Sequence, residues 1–370
     1  MRRFGTGKRT GTGCVGLAFE PGRVRMLQVR EQRGVLSVAG AARVELEDCG
    51  QDTTRCRQRL AEQLRAAVVS GGFLGRTCTI SLPREEVHVQ AVRLPDMPAE
   101  ELREAAAWEA ADRLDVARAD IECDVLCTGA PTDAKGRQEV LVIAAAKSSL
   151  EPRLQAVLDA GLRPLAVDTH FGGIARMLSR RHRRDSDATV RAVLEVGDSG
   201  STVLVLRGAD VAFCKPLPMG GRHIDEHIAE RLGQDVHAVR NLRLAMLDEA
   251  GPAIDATTEH AVRDAARSVI AELARDTMLC LRHFAVSVRG GSPDQLLLTG
   301  VHASEQGLAD VLESTCRLPV GLDDECDGTA ALRQGLSSVL HSSAGPASGW
   351  AITAGLSLRG LERTARRRAA

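Results

Sequence analysis

The hydrophobic positions of this chain form short runs of the strand type, which alternate with stretches of helical periodicity. Near the N-terminus the pattern predicts a strand from Cys14 to Phe19, a hairpin partner from Val24 to Gln28 and a third strand near residues 35–39. An amphipathic helix from Thr54 to Ser70 and a strand from Arg76 to Leu82 follow. This β-β-β-α-β order is typical of α/β folds.

A second block, residues 83–163, has the order β-α-β-β-α, and we interpret it as a small inserted subdomain. Its first helix begins at Pro98 and carries Glu100 and Glu101 in its first turn, where carboxylates favour a helix. The spacing predicts that this helix turns four residues inward, Leu102, Ala105, Trp108 and Ala111. A helix from Ser149 to Ala160 is expected to close the subdomain.

The most informative stretch is residues 190–221, in which apolar runs flank a turn of glycines and hydroxyl residues. The turn reads Gly197-Asp198-Ser199-Gly200-Ser201 and predicts a tight hairpin tip with successive backbone N–H groups. Such a concave tip suits an anion, often a phosphate, although many hairpins of this composition are only structural.

The remaining pattern is mainly helical, with a run of arginines before it and strands after it. Residues 180–187 are the best candidate for a linker, and helices are predicted across residues 222–232 and 236–286. A strand from Gln295 to Leu298 ends at Thr299-Gly300, and a helix from Ala303 to Thr315 follows. A final helix or turn is expected from Trp350 to Leu358.

Composition narrows the function classes. The 370 residues suit two to four subdomains, and 44% hydrophobic with 26% charged residues is ordinary for a soluble protein. A net charge of −1 leaves no electrostatic footprint for nucleic acid, and no apolar run approaches a membrane span. The ten cysteines lack any CxxC pair, which favours reduced thiols in a cytoplasmic protein. The histidines are dispersed, and His223 with His227 is interpreted as helix surface.

Several short segments, taken in order over roughly residues 14–360, resemble the actin-like superfamily and, within it, the PilM family of type IV pilus assembly. The segments that carry the resemblance are Leu94-Pro95, Glu100-Glu101-Leu102, Trp108-Glu109-Ala110, Val140 to Lys147, Ala160 to Pro164, Ala166-Val167-Asp168, Pro218-Met219-Gly220-Gly221, Leu296 to Gly300 and Ala354 to Arg359.

The resemblance implies an α/β actin-like ATPase fold, with two related halves around a cleft and an inserted subdomain similar to that of FtsA. On this basis we divide the chain into four subdomains and a tail. The boundaries are 14–82 plus 164–188 for subdomain 1A, 83–163 for the inserted 1C, 189–221 plus 290–360 for 2A, 222–289 for 2B and 361–370 for the basic tail.

The resemblance also implies a function, that of a cytoplasmic scaffold in the inner-membrane complex of a type IV pilus or a related secretion system. The expected partner is the N-terminal cytoplasmic peptide of a PilN-type membrane protein, held in a groove between subdomain 1A and the insertion. Other pilus assembly proteins are further partners. The protein is therefore expected in the cytoplasm, peripheral to the inner membrane through its partners, with no nucleic acid bound.

The same family usually carries nucleotide-binding turns, and here the first of them is altered. Ala18 stands where the family has an Asp that organises metal and water at the γ-phosphate. Glu20 adds a negative charge to the turn, and Pro21 removes a backbone N–H donor, while Arg23 or Arg25 can offset part of the change.

The second turn is better kept. The candidate nucleotide-binding residues are Gly197, Asp198, Ser199, Gly200, Ser201, Thr202 and Gly300, and Glu195 is a candidate Mg²⁺ ligand through water. Val301 follows Gly300 where the family has a further glycine. No catalytic residue is assigned, and two alternatives for the cofactor stay open: ATP with Mg²⁺, or none.

Other function classes remain as alternatives. An active actin-like ATPase or small-molecule kinase would need an intact first turn, against which Ala18 and Glu20 count. An FtsA-like filament protein would carry a membrane-targeting helix, but residues 356–368 have few apolar anchors. The related type II secretion protein GspL continues into a transmembrane helix, and the lack of one before Ala370 favours the PilM family.

Overall fold

A computed structural model describes most of the chain: residues 10–33, 35–46, 53–129, 136–179, 189–246, 254–287, 291–322, 332–336, 339–340 and 346–369. The predicted linker at 180–187 lies outside these residues. Contacts divide the chain into two units. The first comprises Met1–Val87, Ala145–Leu178 and Cys326–Ala370, and the second comprises His88–Ala144 and Ser179–Glu325.

The first unit is built on a six-stranded mixed sheet with the order β1-β3-β2-β5-β9, in which β4 also pairs with β3. Its strands are β1 (Thr10–Thr12), β2 (Val15–Glu20), β3 (Arg23–Gln32), β4 (Val35–Glu45), β5 (Thr77–Ser81) and β9 (Arg163–Asp168). Strand β3 pairs in the antiparallel direction with β1, β2 and β4. The pairs β2–β5 and β5–β9 are parallel. The predicted β-β-β-α-β order is confirmed.

Helices cover both faces of this sheet, because its strands carry apolar side chains on each face. Val15, Leu17 and Phe19 join the core under α1 (Thr53–Ser70) and α3 (Lys147–Asp159). On the other face lie α4 (His170–Ser179) and α9 (Ala351–Ala369), and α9 crosses β2, β3 and β5.

Helix α9 is hydrogen-bonded to the first sheet as well as packed on it. Ser357 Oγ donates to the Cys14 carbonyl oxygen at 2.6 Å and accepts from the Val29 N–H at 3.0 Å. Trp350, Ala354 and Leu358 fill the same core. The described residues from 332 onward pack in the first unit, whereas the predicted boundaries placed residues 290–360 together in subdomain 2A.

The second unit contains a five-stranded sheet with the order β12-β11-β10-β13-β14. Its strands are β10 (Val190–Val196), β11 (Ser201–Arg207), β12 (Asp210–Leu217), β13 (Leu296–Thr299) and β14 (Val320–Leu322). Four helices accompany it, α5 (Gly221–Leu232), α6 (Val236–Met246), α7 (Ala256–Ser287) and α8 (Leu308–Cys316). Every residue of β10 is buried, as expected for a central strand covered on both faces.

A smaller sheet in the second unit has the order β6-β8-β7 and is covered by α2 (Ala99–Leu114). Its strands are β6 (His88–Pro95), β7 (Ile121–Cys127) and β8 (Arg137–Ala146). The predicted insertion, residues 83–163, also included α3, but α3 packs on α1 in the first unit. The part of the block that belongs to the second unit therefore ends at Ala144.

Two predictions of helix detail are wrong. Leu102 and Ala111 are buried as predicted, but Trp108 was also expected inside and is 60% exposed. The other buried residues of α2 are Ala106, Ala107 and Ala110. In α8, the helix begins at Leu308 and not at Ala303, because residues 301–307 form turns that end at Gly307 with φ of 77°. Among the described helices, none combines the length and apolarity that crossing a membrane requires.

Replacing Trp108 with serine is expected to change the free energy of unfolding by no more than about 0.5 kcal/mol, because the side chain lies outside the core. The matched control is Leu102→Ala in the same helix, which removes a buried side chain and should cost about 2–4 kcal/mol. Urea denaturation of both variants checks this. A loss at Trp108 as large as that at Leu102 would contradict the exposed position.

Candidate functional site

The hairpin that joins β10 and β11 forms as predicted, and its tip is closed by the protein's own hydrogen bonds. The pairing runs up to Val196 opposite Ser201, and the Gly197 N–H donates to the Gly200 carbonyl oxygen at 3.0 Å. Ser201 Oγ donates to the Met219 carbonyl oxygen at 2.6 Å. The hydroxyl of this candidate nucleotide-binding residue is therefore bonded to the chain segment before α5.

The N-terminus of α5 lies directly on the hairpin tip. The Gly221 N–H donates to the Gly197 carbonyl oxygen at 2.9 Å, and the Arg222 N–H donates to the Asp198 carbonyl oxygen at 2.7 Å. A Cβ at Gly220 would lie 2.5 Å from the Gly200 nitrogen, so only glycine allows this approach. The first N–H groups of α5, which attract anions in many proteins, are thus used for the tip itself.

The side chain of Asp198 places a carboxylate at the tip, and two arginines and a histidine from three other segments surround it. Arg240 Nη2 in α6 donates to Oδ1 at 2.9 Å. His302 Nε2 lies 3.5 Å from the same oxygen, and Arg222 Nη2 lies 4.0 Å from Oδ2. Only 15% of the Asp198 side chain is exposed. We call Arg222, Arg240 and His302 the clamp.

The clamp keeps Asp198 ionised. Burial alone would raise the pKa of Asp198, but the hydrogen bond from His302 and the charge of Arg240 outweigh burial and hold that pKa well below its usual range. Burial lowers the pKa of His302, against the opposing effect of Asp198. The imidazole is therefore neutral at neutral pH, and the carboxylate is balanced chiefly by Arg240.

A second, fully buried charge cluster lies behind the clamp and is centred on Arg243 of α6. Its guanidinium donates to Asp225 Oδ1 at 2.8 Å, to Glu305 Oε2 at 3.0 Å and to the Gly221 carbonyl oxygen at 2.9 Å. Arg243 Nη2 also lies 3.4 Å from His302 Nδ1. Because an arginine can only donate, Nδ1 accepts and Nε2 carries the proton that faces Asp198.

Two other predicted residues of this region, Glu195 and Gly300, lie at the ends of the strands beside the hairpin. Glu195 is 2% exposed and stands between Thr202 and Thr299 in the sheet register. Within the described residues, no group of three or more His, Cys, Asp or Glu side chains is arranged to hold a metal ion. Gly300 has φ of 101° and a close contact with the Val196 carbonyl oxygen, so the glycine takes the strained conformation and Val301 does not.

The first turn, in the first unit, carries its own carboxylate and cation. Arg25 Nη1 donates to Glu20 Oε1 and to the Gly349 carbonyl oxygen, both at 2.9 Å. Arg23 Nε lies 4.0 Å from Glu20 Oε2. Ala18 is fully buried and stands opposite Arg25 in the β2–β3 register. The arginines that were expected to compensate for Glu20 are thus paired with it.

A histidine beside this turn adds no positive charge. His170 Nε2 donates to the Phe19 carbonyl oxygen at 3.2 Å. Burial, reinforced by the charge of Arg84, lowers the pKa of His170 to about 3. His170 is therefore neutral under physiological conditions and cannot serve as a phosphate-binding cation.

At each turn, taken by itself, some of the groups that could receive a phosphate of Mg²⁺–ATP are already bonded within the protein. A triphosphate needs unpaired backbone N–H groups and cations where its oxygens lie. At the second turn the N–H groups of Gly197, Gly221 and Arg222 donate to protein carbonyls, and Arg240 is paired with Asp198. At the first turn Glu20 holds Arg25. Each turn thus presents a carboxylate where the cofactor would bring further negative charge.

Asp198 could be recognised from the sequence, but its partners could not, because they are distant in sequence. Arg240 is 42 residues away from Asp198. One signal was available for the buried cluster: Arg243 follows Val239 by one helical turn, which places an arginine on the apolar face of α6. An arginine on such a face indicates a buried carboxylate partner.

Comparisons with known proteins give a family from one family model and a fold from similar solved structures. The family model described as type IV pilus assembly protein PilM matches residues 16–361. A solved PilM-PilN type IV pilus biogenesis complex is similar with a TM-score of 0.74 and 21% identity, over 94% of this chain and 98% of that one. The ethanolamine utilization protein EutJ from Carboxydothermus hydrogenoformans is similar with a TM-score of 0.53 and 12% identity, over 94% and 89% of the two chains.

The predicted α/β actin-like ATPase fold is confirmed. Because the family model covers nearly the whole length, the chain belongs to the family of the type IV pilus assembly protein PilM.

Proposed function

We propose that this protein is a scaffold of a type IV pilus assembly complex that binds the N-terminal cytoplasmic peptide of a PilN-type membrane protein. Membership of the PilM family supports the pilus role. The similar solved structure is a complex of PilM with PilN, and a PilN-type protein is accordingly the partner that we propose here. Binding to that partner would hold the protein at the cytoplasmic side of the inner membrane.

We further propose that the scaffold works without nucleotide hydrolysis. One observation supports this second proposal. Both turns that would receive phosphate hold a carboxylate paired with an arginine, Glu20 with Arg25 and Asp198 with Arg240. Phosphoryl transfer depends on positioned cations and on an acidic group for the metal. The first turn has Ala18 where the family pattern has that acidic group.

The experiment is a calorimetric titration of the purified protein with ATP and Mg²⁺, together with an assay of phosphate release. We expect no binding tighter than about 1 mM, which corresponds to about −4 kcal/mol, and no release above the buffer rate. Titration of ATP into buffer gives the baseline. Micromolar binding, or turnover of ATP, would contradict the nucleotide-independent role and revive the ATPase alternative.

A further inference from the structure

The second turn has the parts of an anion receptor, and the anion is supplied by the chain itself. The carboxylate of Asp198 lies over a hairpin tip and accepts from Arg240 at 2.9 Å, with His302 and Arg222 at 3.5 and 4.0 Å. The three clamp residues come from α6, from the turn after β13 and from the start of α5. Asp198 is thus held by side chains that come from three separate segments of the chain.

The position of the carboxylate is fixed by the backbone around it. The Asp198 carbonyl oxygen accepts from the Arg222 N–H at 2.7 Å, so the residue is tied to α5 through its main chain. Gly220 brings α5 against the tip with no room for a side chain. His302 is held from behind by Arg243, which is itself buried among Asp225 and Glu305. The receptor is thus built from the hairpin tip, two helices and the turn after β13.

A phosphate at this tip would meet a fixed negative charge that already occupies the cations. Phosphate needs charge-assisted hydrogen bonds of the kind that Arg240 gives to Asp198. Arg222, with 44% of its side chain exposed, is the other cation within reach. Removing the carboxylate would leave both Arg240 and Arg222 without the negative charge that they share in Asp198.

We propose that Asp198 is an internal substitute for phosphate: it fills the second turn and determines that this chain does not bind nucleotide there. This inference rests on the proposed nucleotide-independent function and assigns its cause to one residue. It implies that Asp198→Ala converts the tip into a site for phosphate-type anions.

The test uses inorganic pyrophosphate as the probe, at low ionic strength, with the full chain and its Asp198→Ala, Asp198→Asn and Asp198→Ala/Arg240→Ala variants. Calorimetry should give at least about tenfold tighter binding in Asp198→Ala than in the unchanged protein, as expected when a charged donor gains a partner. Asp198→Asn, which keeps the shape and removes the charge, should be intermediate. The double variant should lose the gain.

Asp264→Ala is the matched control, because it also removes a carboxylate from an arginine, Arg231, at 2.9 Å, but at an exposed site in the same unit. It should gain no pyrophosphate binding. If Asp198→Ala does not fold by circular dichroism, Asp198→Asn decides the question by the same comparison.

The inference is overturned if the Asp198 variants bind pyrophosphate no more tightly than the unchanged protein, or if the double variant keeps the gain. Pyrophosphate binding to the unchanged protein, as tight as to Asp198→Ala, would also overturn it. None of these outcomes bears on whether the PilN-type peptide binds. Failure of the peptide to bind would refute the scaffold and leave the anion result standing.

Discussion

Replacing Arg243 with methionine is expected to lower the free energy of unfolding by about 3–5 kcal/mol, the range for breaking a buried ion pair from one side. Arg243 is 1% exposed and is hydrogen-bonded to Asp225, Glu305 and the Gly221 carbonyl. Methionine fills much of the volume but leaves two buried carboxylates without their cation. The free energy of unfolding, measured by urea denaturation, gives the value.

The loss should depend on pH. Burial raises the pKa of both Asp225 and Glu305, although Arg243 opposes this, and removing Arg243 would raise both pKa values further. A raised pKa means that the folded state binds more protons than the unfolded state, so stability falls as pH rises through the folded value. The gap between Arg243→Met and the unchanged protein should therefore widen from mildly acidic to neutral pH.

Arg231→Met is the matched control for Arg243→Met. Arg231 pairs with Asp264 at the surface, and about half of each side chain is exposed. Its replacement should cost less than about 1 kcal/mol with little change between acidic and neutral pH. Equal losses in the two variants, or a gap that narrows as pH rises, would contradict the buried cluster.

Replacing Gly355 with alanine is expected to destabilise the first unit by at least about 3 kcal/mol, the upper end of the usual cost of overpacking. A Cβ at Gly355 would lie 1.7 Å from the Gly173 carbonyl oxygen. Both residues belong to helices, α9 and α4, and the obstructing atom is backbone, so the helices themselves would have to separate. Thermal and urea denaturation measure the effect.

The sign of the stability change in Gly355→Ala distinguishes close packing of α9 on α4 from loose packing. Alanine favours a helix over glycine by about 1 kcal/mol, so a loosely packed α9 would be stabilised by Gly355→Ala. Gly321→Ala is the control, because its Cβ would have as its nearest neighbour a Leu297 side-chain atom at 3.9 Å. That variant should change stability by less than about 1 kcal/mol. A stabilised Gly355→Ala protein would contradict the α4–α9 contact.

Much of the fold was predictable because its signals are local. Apolar runs bounded by Gly, Pro and Asp placed β2, β3 and the β10–β11 hairpin within a few residues of their observed bounds. The amphipathic pattern of α1 predicted a helix from Thr54, and the structure begins it at Thr53. These elements follow from side-chain periodicity and turn chemistry alone.

The wrong predictions have a physical reason in common, which is that periodicity does not say which face will be covered. In α2, alanines lie all around the helix, so Trp108 could not be assigned to a face from its spacing, and the covered face is the one with Ala106 and Ala110. Likewise, the sequence of the C-terminal helix α9 does not indicate which of the sheets the helix packs against. Its position depends on long-range contacts such as Ser357 with Cys14.

The candidate site shows the same division. The residues of the turns could be read directly, including Ala18, Glu20 and Asp198. The clamp could not be predicted from the sequence, because Arg240 and His302 reach Asp198 only through the folding of α6 and of the turn after β13. A phosphate-binding prediction from the hairpin alone was therefore incomplete, because the tip supplies its own anion.

The most direct test of the proposed nucleotide-independent scaffold is the affinity of the purified protein for a labelled peptide. The peptide carries the N-terminal cytoplasmic residues of the PilN-type protein from the same organism. Fluorescence anisotropy would be measured without nucleotide and again with ATP and Mg²⁺, against a scrambled peptide as control. We expect specific binding of the peptide with the same Kd in both conditions. Binding no tighter than the scrambled peptide, or binding that requires ATP, would contradict it.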